Sequence, residues 1–250
     1  MPGMRKTPGI VVMVIVACVL AFGASGQSAA PQGRPAASPV QKNDDDYTKR
    51  ILDNTPDKRI LTELVDHMPV SATVQSPLKF LGYVPGENNR LTYHKDIVAY
   101  YQALVKATGR AAMWEIGKTD EGRPMVALAI ADEATIKSLD KYKQITAQLT
   151  DPRKLSDAQA KLLIQTGKPI YWATGSLHSG ETGSTEMLIE MAFRLVVEET
   201  PFIKQIRNNT IVVITPVLEV DGHERQVDNR RASDAGQPQP GMTYWGKYVA

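Results

Sequence analysis

Cysteine is nearly absent from this 250-residue chain: Cys18 is the only one, and it lies in a stretch read below as a removable leader. Without it, disulfides, thiolate nucleophiles and cysteine metal ligands are excluded. Histidine is scarce as well. Any zinc site must draw on His67, His94, His178 or His223 together with Asp and Glu. Neither sign of charge is in excess, with 29 Lys+Arg against 27 Asp+Glu. Arg5 and Lys6 leave with the leader, which makes the remainder formally neutral. No basic stripe argues for nucleic acid, and no acidic tail argues for a charged partner.

Long apolar runs are also missing. The best, from Ile10 to Phe22, falls short of the ~20 residues a spanning helix needs. Arg5 and Lys6 precede it and Ala24, Ser25 and Gly26 follow, the pattern of a secretory signal over residues 1–26. Ile15-Val16-Ala17-Cys18 resembles a lipobox, but the apolar run continues past the cysteine, which favours ordinary cleavage over a lipoprotein or an uncleaved anchor, and a secreted or periplasmic protein with no stable membrane span after cleavage. Residues 27–45, rich in Ala, Pro, Gln and Ser, predict a disordered linker. Residues 46–92 are mixed, with a short helix predicted over 58–67, and read as an N-terminal extension.

From Tyr93 the periodicities sharpen. Ile97, Tyr100, Tyr101, Leu104 and Val105 predict a helix that stops at Gly109. AMWEIGK and MVALAIAD, separated by TDEGRP, predict a hairpin. Helices are predicted over 133–149 and 156–167, followed by a buried strand in KPIYWATG. Met187, Leu188, Met191, Ala192, Leu195 and Val196 then form one helical stripe, with Glu186, Glu190, Arg194 and Glu198 on another face. NTIVVITPVL reads as a central strand, so strand, helix and strand predict a parallel βαβ unit. GSLHSGET and LEVDGHER fall at the carboxyl ends of its strands, where open α/β sheets place their sites.

GSLHSGET admits two chemistries. As a phosphate loop it has Glu181 where a lysine belongs, and a carboxylate there would repel the phosphates. As H-x-x-E it offers His178 and Glu181 as metal donors near a helix start. Taken alone, that spacing weighs equally against a His and a Glu with no ligand role.

The wider pattern decides it. GKTDEGRPM, IYWATGSLHSGETGSTEMLIEMAFRLV and NTIVVITPVLEVDGHER occur in the order and spacing of zinc metallocarboxypeptidases, so residues 93–250 resemble the amino-terminal part of that catalytic domain. The resemblance implies a three-layer α/β/α sandwich with a mixed, largely parallel sheet, incomplete in this chain. It implies Zn2+ held by His178 and Glu181, with Asp221-Gly222 matching the family's Asp-Gly turn. It also implies a peptide or amide-linked substrate with a free carboxylate, and Arg230 and Arg231 fall where the family grips that group. Glu219-Val220 departs from the family's Asn-Pro. The third zinc ligand and the general base are implied beyond Ala250, so no catalytic residue is expected within the chain and the fragment alone is expected to be inactive. His223 is a geometric alternative as third ligand, against its family position; His67 and His94 are expected to be surface or structural histidines. An aspartoacylase-like zinc amidase and a noncatalytic secreted binding domain of the same fold are the other readings.

Overall fold

The structure, a computed structural model, describes residues 41–236. The predicted leader and residues 27–40 of the predicted linker lie outside them. Residues 41–45 are ordered instead: Gln41 Nε2 donates to the carbonyl of Val197, and Asn43 bridges to Pro69. These contacts supply what the polar composition lacks.

The elements, in order, are α1 (Asp45–Asn54), α2 (Pro77–Leu81), α3 (His94–Ala107), β1 (Ala111–Lys118), β2 (Pro124–Ile130), α4 (Glu133–Lys137), α5 (Leu139–Leu149), α6 (Asp157–Thr166), β3 (Ile170–Thr174), α7 (Thr182–Val197), α8 (Pro201–Asn209), β4 (Ile211–Thr215) and α9 (Val220–Asp234). The predicted 58–67 helix reduces to a 3-10 turn at Lys58–Ile60. The predicted 133–149 helix breaks at Ser138, whose φ −109° and ψ 21° close one helix and open the next.

The four strands form a mixed sheet in the order β1-β2-β4-β3. β1 and β2 pair antiparallel, as do β2 and β4, while β3 and β4 run parallel from Ile170↔Ile211 to Thr174↔Thr215. Among the described residues the expectation of a largely parallel sheet is therefore met only at β3–β4. The short loop between β1 and β2 leaves no room for the crossover that a parallel pair requires.

Side-chain alternation sorts the sheet into two buried faces, with helices on each. Leu128, Ile130, Val212 and Ile214 join Tyr100, Leu104, Leu188 and Phe193 in the larger core, under α3 and α7. Ala127, Ala129, Ile211 and Val213 face Ile136, Leu139 and Tyr142 of α4 and α5 on the other side. The sequence accordingly folds into α/β/α layers, the small alanines of β2 letting the second helical layer approach closely. Each large apolar side chain buried this way stabilises by about 2 kcal/mol.

Two expectations change. β3 was predicted to be buried, yet Tyr171 and Trp172 are 63% and 54% exposed because, among the described residues, β3 has a neighbour on one side only. The charged face of α7 was predicted to be apart from the core, yet Glu186, Arg194 and Glu198 are buried. Residues 41–92 cover it. Thr92 donates to Glu186 from its N–H and its hydroxyl, both at 2.7 Å, and the Tyr47 hydroxyl donates to Glu190 at 2.8 Å. Arg194 bonds Glu198 at 3.1 Å, one turn further along the same face. Burial raises the pKa of both Glu186 and Glu190, and these hydrogen bonds offset part of the rise. Met68, Val74 and Val84 add to the same core, so the extension is packed into the domain.

No helix of the described residues is long and apolar enough to cross a membrane.

Candidate metal centre at the strand ends

The β3–α7 turn carries His178 and Glu181. Its entry is fixed by backbone: Gly175 N–H donates to Thr215, while Leu218 and Glu219 donate to the carbonyls of Gly175 and Ser176. Gly175 passes so close to the neighbouring turn that a Cβ there would stand 2.4 Å from the carbonyl oxygen of Pro216. Only glycine fits this approach. Ser176 follows with φ +46°, a left-handed conformation uncommon outside glycine.

His178 Nδ1 lies 2.8 Å from Glu181 Oε1, and both side chains are exposed. A carboxylate only accepts, so Nδ1 carries the proton in this contact. The hydrogen bond to Glu181 raises the His178 pKa, and the same bond lowers that of Glu181. As a donor set the pair suits zinc: an imidazole nitrogen and a carboxylate oxygen already converge. Ligand atoms on a tetrahedral zinc stand about 3.3 Å apart, so a small opening would admit the ion. No cluster of three or more His, Cys, Asp or Glu able to hold a metal occurs among the described residues. The fit is to two of the three protein ligands usual in catalytic zinc sites.

The other histidines are elsewhere. His223 is fully buried on α9, its Nε2 donating to the Thr92 carbonyl at 2.9 Å. That bond faces it into the α3 junction, which removes it as a third ligand beside His178. His94 is buried with Nε2 donating to the Pro124 carbonyl at 2.7 Å, and His67 contacts Asp66.

The second strand-end motif opens α9, an element with too few apolar residues to show a helical stripe. Glu219 caps it, accepting from Gly222 N–H at 2.8 Å. A Cβ at Gly222 would meet Glu219 Oε2 at 1.7 Å and Ser179 Cβ at 2.6 Å, so this glycine lets the helix start press against the His178 loop. Asp221 reaches the hairpin loop instead. It accepts from the Thr119 hydroxyl at 2.8 Å, Glu121 N–H at 3.2 Å and Arg123 at 2.5 Å. Glu121 in turn pairs with Arg123 and Arg225. The three sequence motifs thus meet at one corner, with Asp221 fastening the hairpin to α9. Replacing Asp221 with Ala removes its three hydrogen bonds to the hairpin loop, leaves Arg123 paired with Glu121, and should cost about 1 kcal/mol in urea unfolding.

His178 opens on a groove of about 330 Å³ lined by Leu177, Ser179, Glu219, Arg225, Gln226 and Asn229. Arg225, Gln226 and Asn229 share one face of α9 with Gly222. Arg230 and Arg231 do not line this groove. Arg230 contacts Asn89 and pairs with Asp234 at 3.3 Å, and Arg231 lies 4.3 Å over the Tyr93 ring. Sequence reasoning missed Arg225 and Asn229; spacing of three and seven from Gly222 would have found them had α9 been recognised.

A mixed α/β sheet thus carries an H-x-x-E pair at its parallel strand ends. The zinc carboxypeptidase family model matches residues 97–242, more than half of the chain, and the chain belongs to that family. No curated protein matches it in sequence. Solved structures similar to it include carboxypeptidase A from Helicoverpa armigera (21% identity, TM-score 0.38, covering 54% of this chain and 26% of that one). A metallo-carboxypeptidase from Burkholderia cenocepacia matches with 18% identity and TM-score 0.35, covering 52% and 28%. Bovine thrombin-activatable fibrinolysis inhibitor in complex with tick carboxypeptidase inhibitor matches with 12% identity and TM-score 0.37, covering 57% and 36%. The chain therefore spans roughly a quarter to a third of the length of these structures.

Proposed function

We propose that this chain is part of an exported zinc-dependent carboxypeptidase that hydrolyses peptide or amide bonds next to a free carboxylate. The convergence of His178 Nδ1 and Glu181 Oε1 at the mouth of the groove carries the reading. His178 and Glu181 would hold the ion, with a third donor from outside the described residues. Zinc in such a site supplies Lewis acidity and lowers the pKa of bound water toward ~7. The remaining work falls to the chain. Asp221 and Gly222 hold the groove wall against the His178 loop, and Arg225, oriented by Glu121, offers a guanidinium toward an anionic substrate group. The amino-terminal signal pattern supports export.

The test is stoichiometric zinc binding by the intact protein that supplies the third donor, read by competition with a chromophoric chelator. Replacing His178 with Ala, or Glu181 with Gln, should each abolish high-affinity binding while the metal-free protein melts nearly unchanged, since both side chains are exposed. Binding that persists in both variants would sink the reading.

A further inference from the structure

One hydroxyl bridges the two ends of the loop that carries His178 and Glu181. Ser184, in the first turn of α7, accepts the Ser176 N–H at 3.0 Å and donates to the Glu181 carbonyl at 2.9 Å. Its oxygen therefore joins the first residue of the turn to the ligand at its end. Ser176 is the strained member, with φ +46°, and is 1% exposed, so its N–H has no ready access to water. The Ser176 hydroxyl in turn donates to the His178 carbonyl at 3.3 Å, and Glu181 N–H donates to the same carbonyl at 3.0 Å. Both donor residues thus hang on one short chain of hydrogen bonds, and Ser184 is the link that ties it to a rigid helix.

We propose that Ser184 is a positioning residue of the metal centre, holding Ser176 and Glu181 so that the imidazole and carboxylate converge before an ion arrives. Such preorganisation matters more where few ligands are present, because each misplaced donor must be gathered at the moment of binding. A local role in starting α7 is the competing account. Alanine is a good helix former, so Ser184→Ala should leave α7 intact and remove only the bridge. This proposal rests on the zinc reading above.

The experiment measures zinc affinity of the intact protein that supplies the third donor, by chelator competition, alongside thermal melting without metal. Ser184→Ala should bind zinc 10- to 100-fold more weakly, in the range for removal of outer-shell support. Ser184→Thr, which keeps a hydroxyl, should bind nearly as the unaltered chain does. Unchanged affinity in Ser184→Ala, or equal loss in the Ala and Thr variants, would overturn the positioning role. Failure of the zinc reading looks different: His178→Ala would bind zinc as tightly as the unaltered chain, and both proposals would fall together.

Discussion

Gly175→Ala is expected to destabilise the chain by about 3 kcal/mol and to disperse the His178 turn. The added methyl would stand 2.4 Å from the Pro216 carbonyl oxygen and 2.9 Å from Leu188 Cδ1. The first obstacle is backbone at the end of β4, and relieving it means prising apart the two strand-end turns. Those turns are laced by the N–H of Gly175 to Thr215 and the N–H of Leu218 to Gly175. A shift there moves Ser176 and everything it carries. Gly183→Ala serves as the contrast. It lies in the first turn of α7 with open space around its Cβ position, so it should stabilise by roughly 0.5 kcal/mol. Urea unfolding of the two variants checks both signs. A Gly175→Ala protein as stable as the parent would mean the two turns are not packed as described.

The second large effect is acid lability. His94 and His223 are buried, each donates from Nε2 to a carbonyl, and each leaves Nδ1 without a partner. Burial lowers both pKa values. His94 faces His223 and Arg123, which also disfavour its charge, whereas Glu224 and Glu219 beside His223 offset part of the effect. The unfolded chain takes up these protons near pH 6.5 and the folded chain does so only lower. Their stabilising contribution is therefore complete above pH 6.5 and is lost as pH falls from there through the folded pKa values. Within that window each histidine contributes up to about 1.4 kcal/mol per pH unit. Glu186 and Glu190, with raised pKa values, act in the opposite sense as pH falls toward the carboxylate range. A difference measurement isolates the histidines. His223→Gln keeps an N–H for the Thr92 carbonyl and removes one titration, so stability against pH between 6.5 and 5.5 should flatten by roughly half. An unaltered slope would refute the assignment.

What the sequence revealed depended on whether a signal was local. H-x-x-E was legible because strand, turn and helix are contiguous, and the β-branched run of β4 admitted no other reading than a central strand. The hairpin was legible from TDEGRP alone. α9 was not, because its buried residues (Val220, Gly222, His223 and Val227) form no apolar stripe. With α9 unseen, Arg225 and Asn229 could not be placed in the groove, nor Arg230 and Arg231 beside Asn89 and Tyr93. The burial of Glu186 was equally hidden. A carboxylate every fourth residue signals solvent unless its donors are known, and the donors lie some 90 residues away at Thr92.

Those donors bear on how the chain can be divided. The family match begins at Ile97, which invites a cut just ahead of α3. A polypeptide begun at Tyr93 would inherit Glu186 without the Thr92 amide and hydroxyl, and Glu190 without the Tyr47 phenol. It would also expose the apolar side of α7 that Met68, Val74 and Val84 cover. The boundary that homology draws is not one at which the molecule comes apart, and a piece that keeps these contacts has to include Gln41, which bonds the Val197 carbonyl and the Glu199 N–H.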